Sequence, residues 1–434
     1  MPRYRGETVR WCSHLYNLLP SHARSLRRGA PAVDIDPWFR QGSPVRPFTS
    51  EKLRPFGTSI FSEMTRLAQE HGAINLSQGF PDFDGPSEIV DAVVSALREG
   101  HNQYARSMGH PELVTALAER QARLYGTAYD PLTEVLVTSG ATEAIASSLL
   151  GLLDPGDEVI LIEPFYDSYP ACLAMARAVP KYLTLRFPDF ALDVDALKAL
   201  IGPRTRAILV NSPHNPSGKV FSPAEQQAIA ELAVAHDLWV ISDEVYEHLT
   251  YDGARHVPLA SLPGMRERTL TISSAGKTFS FTGWKVGWLF GPAPMIAAVQ
   301  AAHQFVTFAT STPMQVGLAR TLRALPDSFY TTLAAEYLAR RDTMLTVLRE
   351  VGFDVAVPRG TYFIVAGFGA LDAGDDRSFA KRLITEVGVA TIPPSVFYAA
   401  RPEEGRKLLR FAFCKKDSTL AAASARLRER LRRA

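Results

Sequence analysis

Apolar positions change period along the chain, and the changes divide it into stretches. Over residues 58–71, Ile60-Phe61, Met64 and Leu67-Ala68 recur at helical spacing and stop at Gly72, which predicts a helix lying on a core. Helices are also predicted over residues 87–98, rich in Ala and Val, and over 111–125, which opens on a proline. Between them Asn102-Gln103-Tyr104-Ala105-Arg106 breaks the period. From Glu134 to about Phe290 short apolar runs alternate with loops and helical segments. Residues 135–138, 158–162, 206–210, 238–242, 269–272 and 286–290 read as strands, and 144–153 as a helix. That alternation predicts a mostly parallel sheet with helices on its faces. Beyond about Pro294 helices dominate, over 295–305, 312–325 and 328–351. Residues 353–357 and 362–365 then look like strands of a smaller terminal domain, closed by a helix over 418–433.

A chain of 434 residues, 46% hydrophobic and 21% charged, buries a large core and suggests two or more packed domains. A net charge of +2 gives no reason to expect nucleic acid, and no apolar run approaches the roughly 18 residues of a membrane span. Cys12, Cys172 and Cys414 are odd in number and widely spaced, which fits a reducing compartment and offers neither a metal quartet nor a disulfide framework. Residues 1–46 carry arginines with few acids and no sustained period, and are expected to be a loosely ordered extension. Asp34, Asp36 and the lack of an amphipathic helix argue against a mitochondrial-type presequence.

Candidate chemistry centres on Ser273-Ser274-Ala275-Gly276-Lys277-Thr278, a small hydroxyl-rich loop between two predicted strands. A lysine there can form a Schiff base with an aldehyde cofactor if burial or a neighbouring positive charge such as Lys285 lowers its pKa. A solvated lysine in a hairpin is the plainer reading. Ser139-Gly140-Ala141-Thr142-Glu143 follows a strand and opens a helix, where free N–H groups can hold a phosphate or where the helix is merely capped. Three more strand ends lead to Tyr166, to Asn215, and to Asp243 with Tyr246. A tyrosine ring can stack on a heterocycle, Asn215 and Tyr246 can donate to a phenolate oxygen, and a carboxylate can hold a ring nitrogen protonated. Each of these residues also has an ordinary structural explanation, as core aromatic, Asx turn or helix cap. Gly79, in a Gly- and Pro-punctuated turn, would let backbone approach a ligand closely, and Tyr104 sits in polar company from which it can reach one.

Taken in order, NLSQGFPDFDGP, NQYA, SGATEA, NPSGK, ISDEVYEHL, SSAGKTFSFTGWKVGW and RFAFCKKD resemble the class I/II aminotransferases, from about Phe56 to the C-terminus. The similarity is greatest to the kynurenine, glutamine and methionine aminotransferase branch, whose members often also act as cysteine-S-conjugate β-lyases. The resemblance implies the fold type I architecture of pyridoxal 5'-phosphate enzymes. This is an α/β fold with a mostly parallel, seven-stranded-type sheet and helices on both faces of a large domain, plus a smaller α+β terminal domain. The expected division is an extension over 1–46, an N-terminal segment over 47–75 packing with the small domain, a large cofactor domain over 76–325 and a small domain over 326–434.

Residue by residue, the resemblance implies that Lys277 carries the cofactor and then serves as general acid and base. Asp243 would protonate the ring nitrogen, Asn215 and Tyr246 would bond the ring oxygen, and Tyr166 would stack on the ring. The phosphate would meet Ala141, Thr142, Ser274, Lys285 and, from the neighbouring subunit of a homodimer with shared active sites, Tyr104. Lysine at 285 replaces the arginine of many aminotransferases, a point charge for a bidentate fork. Arg410 would bind the substrate carboxylate, with Gly79 and Asn215 assisting, and no metal is expected. The implied reaction moves an amino group from an L-amino acid to a 2-oxo acid by ping-pong kinetics, in the cytoplasm.

Phe56, Phe80, Tyr166 and Phe308 favour uncharged donors such as methionine, glutamine, aromatic amino acids or kynurenine. Arg106, beside Tyr104, reads as a solvated or salt-bridged surface residue, the alternative being that it extends acceptance to acidic side chains. The alternatives are a β-lyase with the same cofactor, an aspartate- or succinyldiaminopimelate-type aminotransferase, and, remotely, a non-enzymatic regulator that uses the fold to sense an effector.

Overall fold

The computed structural model describes residues 48–431 except residue 370; the extension expected over 1–46 lies outside the described residues. Helix α1 (Ile60–Glu70) starts where the Ser59 hydroxyl accepts from the Ser62 amide, and it leads into a two-residue strand, β1 (Ile74–Asn75). Helices α2 (Ser87–Arg98) and α3 (Pro111–Tyr125) follow. Helix α3 closes on Gly126 at φ 70°, a left-handed turn that glycine adopts without strain.

The next elements are β2 (Val135–Thr138), α4 (Ala141–Leu152), β3 (Glu158–Glu163), α5 (Ser168–Ala176), β4 (Val179–Thr184), α6 (Val194–Leu200), β5 (Thr205–Asn211), α7 (Pro223–Ala235), β6 (Trp239–Asp243), β7 (Thr269–Ser274), α8 (Ala275–Thr278) and β8 (Gly287–Phe290). Their strands form one seven-stranded sheet in the order β2-β8-β7-β6-β5-β3-β4. All pairings are parallel except the two made by β8. Strands β2, β3, β7 and β8 are buried along their whole length, as the near-continuous apolar runs of a sheet covered on both faces require.

The chain continues through α9 (Ala293–Val306), α10 (Thr312–Leu322), the long α11 (Ser328–Glu350), β9 (Asp354–Val355), β10 (Phe363–Gly367), α12 (Asp376–Arg382), β11 (Val389–Ala390), β12 (Leu408–Ala412) and α13 (Asp417–Arg430). One face of the large sheet packs Ile145, Leu149, Leu173 and Ile296, from α4, α5 and α9. The other packs Leu197, Phe221 and Ile229. Strands β12-β10-β9 make a small antiparallel sheet with Val365 opposite Arg410, and β1 pairs in parallel with β11. Met64 of α1 shares a core with Met344 and Leu348 of α11, Phe363, Phe411 and Leu427, so an N-terminal helix is built into the C-terminal layer. No helix of the described residues is long and apolar enough to cross a membrane.

Four local expectations are corrected. Lys277 lies in the helical turn α8, not in a loop, and α4 begins at Ala141, three residues before its apolar period is recognisable. The stretch 353–357 pairs only through Asp354–Val355. Strand β4 has no counterpart in the predicted elements because Pro180 and Lys181 interrupt its run; it is the edge of the sheet, where such residues discourage further pairing.

Candidate active site

The site gathers at the carboxyl ends of the parallel strands, where an open α/β sheet leaves a crevice. Strand β6 ends at Asp243, only 4% exposed. The Tyr169 hydroxyl donates to its Oδ2 at 2.6 Å, the Val245 amide reaches Oδ1 at 3.3 Å, and Asn211 donates to its backbone carbonyl at 2.8 Å. Burial pushes the Asp243 carboxyl up to about 6, against the downward pull of Tyr169, the Val245 amide and Lys277.

Strand β7 delivers Lys277 through α8. Its Nζ donates to the Tyr362 hydroxyl at 2.7 Å and to the Gly79 carbonyl at 2.9 Å. Burial is the main reason its amine falls from 10.5 to about 8; Arg410 and Lys285 lower it further, while Cys414 and Asp243 oppose the fall. Its two hydrogen bonds and its place in α8 are not those of a solvated hairpin lysine.

The N-terminus of α4 has no side-chain cap: Gly140 occupies the cap position at φ 82° and ψ 168°, a conformation suited to glycine. Gly287 packs flush beneath it, since a Cβ there would lie 2.7 Å from the Ala141 nitrogen. Lys285, itself left-handed at φ 55°, brings its ammonium over the same turn, so that a Cβ on Gly140 would sit 3.1 Å from Nζ. Thr142 and Ser274 complete this electropositive cup, and the Tyr166 hydroxyl bonds Thr142.

Arg410, on β12, is 1% exposed, which removes the surface reading of that arginine. It donates from Nη1 to Asn215 Oδ1 at 3.0 Å and from Nη2 to the Ser77 carbonyl at 2.8 Å, while its Nε has no partner among the described residues. The guanidinium lies 4.1 Å from the ring centre of Phe363 and close to Phe61 and Phe397. Burial lowers it to about 10. A buried guanidinium at a cavity wall has the chemistry to receive a carboxylate.

Eleven of the twelve residues singled out from the sequence line one cavity of about 340 Å³: Gly79, Ala141, Thr142, Tyr166, Asn215, Asp243, Tyr246, Ser274, Lys277, Lys285 and Arg410. The chain is similar to known enzymes in its sequence as a whole. Residues 71–427 match the family model for aminotransferase class I and II. The chain belongs to that family. It is 49% identical over 389 residues to a Mycobacterium tuberculosis protein named probable N-succinyldiaminopimelate aminotransferase, covering 87% of this chain and 98% of that one. The methionine aminotransferase of Escherichia coli is 42% identical over 378 residues (87% and 97%), and a kynurenine–oxoglutarate transaminase of Dictyostelium discoideum 40% over 411 (86% and 94%). Solved structures of the M. tuberculosis N-succinyldiaminopimelate aminotransferase and of an E. coli methionine aminotransferase each superpose with a TM-score of 0.85.

Tyr104 is the one selected residue that this aminotransferase keeps out of its own cavity. It is 84% exposed and meets Phe308 edge-on at 5.2 Å, next to an 87% exposed Phe305. Arg106 is exposed as well and donates to the Leu132 carbonyl at 3.2 Å. Gly79 answers to packing: a Cβ there would lie 2.6 Å from the Phe363 ring, and its carbonyl is turned to Lys277, leaving the N–H as the only group it can offer a carboxylate.

Three residues of the aminotransferase site were missed by sequence reasoning. Tyr169 sits one helical turn beyond Tyr166, so the spacing in the first turn of α5 carried a signal. Asn211 holds the Asp243 carbonyl with its amide and the Asn215 amide with its oxygen, and it ends the strand that leads to Asn215. Tyr362 read as an ordinary strand aromatic, and nothing local distinguishes it.

Proposed function

We propose that this aminotransferase uses pyridoxal 5'-phosphate, works as a homodimer, and transfers the amino group of an uncharged L-amino acid (methionine, glutamine, an aromatic amino acid or kynurenine) to a 2-oxo acid. The observation that carries the reading is the convergence of Lys277, Asp243, the uncapped start of α4 with Lys285, and Arg410 on one cavity. The donor set fits the cofactor: an amine lowered to about 8, a buried acid, and a cup of free N–H groups that a side chain on Gly140 would crowd.

Lys277 would anchor the cofactor covalently, Asp243 would hold its ring nitrogen protonated, and Tyr246 and Asn215 would bond its ring oxygen. Tyr166 would cover the ring face, and Ala141, Thr142, Ser274 and Lys285 would hold the phosphate. When bound, the group supplies an aldehyde carbon and a protonated ring that takes up the electron pair left on a substrate Cα. Arg410 offers its fork to the α-carboxylate, with Asn215 and the Gly79 N–H assisting, and thereby fixes which bond of Cα faces Lys277. The Lys277 amine takes the Cα proton and returns it. Tyr104 would serve the neighbouring subunit's phosphate; its exposure beside Phe305 and Phe308 supports an interface there.

Uncharged walls, Phe61, Phe80 and Phe363, support the uncharged donor. A second reading, an N-succinyldiaminopimelate-type substrate, is supported by the 49% identity to the M. tuberculosis protein, and Arg106 near a shared site would then meet an acidic end. Titration of the holoenzyme absorbance with L-methionine, L-kynurenine, L-glutamate and N-succinyl-L,L-diaminopimelate ranks the donors. Pyruvate released from a cysteine conjugate without an oxo acid would instead favour the β-lyase. An absorbance band that survives in Lys277→Ala, or that no amino acid alters, would overturn the reading.

A further inference from the structure

We infer that Tyr362 is a positioning residue for the Lys277 amine, holding it together with the Gly79 carbonyl so that the unengaged side of the nitrogen faces the cavity. The inference rests on the proposed function, in which that amine moves the Cα proton. Tyr362 is 1% exposed and follows Thr361, which stands at φ 64°. Its ring is fixed edge-on against Tyr246 at 5.1 Å and Phe363 at 4.8 Å, with Tyr337 at 5.8 Å on a third side. Its hydroxyl lies 2.6 Å from the Gly79 carbonyl oxygen and 2.7 Å from Lys277 Nζ.

A carbonyl can only accept and an ammonium can only donate, so the Tyr362 oxygen receives from the charged Lys277, while its one proton is shared between the Gly79 carbonyl and the Tyr246 hydroxyl. Lys277 also donates to the Gly79 carbonyl at 2.9 Å. Because the two acceptors are themselves only 2.6 Å apart, they lie about 55° from one another as seen from Nζ and share one side of the nitrogen, leaving its other positions to the cavity that Lys277 lines. The amine therefore takes and returns the substrate proton on the side away from these acceptors, while the Tyr362 proton stays off the substrate. Gly79 is held flush on Phe363, so the second acceptor is as fixed as the first.

Tyr362→Phe removes one acceptor and keeps the ring. In the full-length protein stripped of cofactor, the pH midpoint of acylation of Lys277, read by mass spectrometry, is expected to fall by about one unit, because the ammonium loses a hydrogen bond. In the reconstituted enzyme kcat should fall about tenfold with a larger Cα-deuterium isotope effect, and the donor KM should stay within about twofold because Arg410 is untouched. An unchanged midpoint together with an unchanged isotope effect in Tyr362→Phe overturns the inference alone, provided the wild-type band responds to amino acids and is lost in Lys277→Ala. If the wild-type band fails those controls, the proposed function falls first and the inference with it.

Discussion

Replacing Asp243 by asparagine should make the cofactor-free protein more stable and the enzyme nearly useless. Asp243 is 4% exposed, and burial raises its carboxyl from 3.8 to about 6. For an acid whose folded pKa lies above its unfolded one, folding is favoured while the group is protonated and loses stability as pH rises through the folded value. At 1.36 kcal/mol for each pH unit, the charge costs the folded state about 3 kcal/mol above pH 7 and about half that at pH 5. The neutral amide of Asp243→Asn would carry no such cost. Its oxygen can still accept from Tyr169, but its NH2 would face the 3.3 Å Val245 contact, so the full figure is an upper bound. With an unfolding entropy of about 0.9 kcal/mol/K for a chain of this length, the expected gain is about 3 °C in Tm at pH 8 and about half that at pH 5. Differential scanning fluorimetry of both cofactor-free proteins at the two pH values measures it. A gap that is the same at pH 5 and pH 8, or a less stable variant at pH 8, would refute the argument. Activity should move the other way: the amide cannot hold a ring nitrogen protonated, so kcat of the reconstituted variant should fall by at least about a hundredfold, about 3 kcal/mol.

Arg410→Ala should raise the donor KM at least about a hundredfold while leaving the cofactor absorbance in place, as read by spectral titration, since the guanidinium serves the carboxylate and not the anchor. Gly140→Ala introduces a Cβ at φ 82° that would lie 3.1 Å from the Lys285 ammonium, and should weaken pyridoxal phosphate binding by about 1–3 kcal/mol in a fluorescence titration. Behind the site, Glu247 accepts from Ser273 at 2.8 Å, Tyr125 at 2.6 Å and Arg120 at 3.2 Å, all with little access to water. Glu247→Ala strands the buried Arg120 charge and should cost about 3–5 kcal/mol, seen as a Tm lower by several degrees, whereas Glu247→Gln should retain part of the network.

The sheet was legible because its strands are buried on both faces and so read as plain apolar runs, and because proline and glycine punctuate the helices at Pro111, Gly126 and Gly72. What failed had physical reasons. Strand β4 is an edge, and edges are written in residues that resist pairing. The start of α4 is spelled by small residues, Ala141 and Thr142, which carry no apolar period. The site residues at strand ends could be found because each carries unusual chemistry at a predictable place. Tyr362 could not, because what distinguishes it is a pair of partners far along the chain, Gly79 and Lys277; Tyr169, whose partner Asp243 is also distant, left only its spacing from Tyr166 as a signal. Tyr104 was recognised as a loop aromatic, and its exposure beside Phe305 and Phe308 gives that recognition a surface.

Lys277 meets Gly79 across 198 residues of sequence, and Arg410 meets Ser77 across 333. During synthesis, then, the start of α4 and Lys277 emerge well before β12, the strand that bears Arg410. On the proposed function, a ribosome-bound intermediate ending before residue 408 would possess the means to capture an aldehyde but none to select an amino acid, and the last strand to arrive would be the one that turns capture into discrimination.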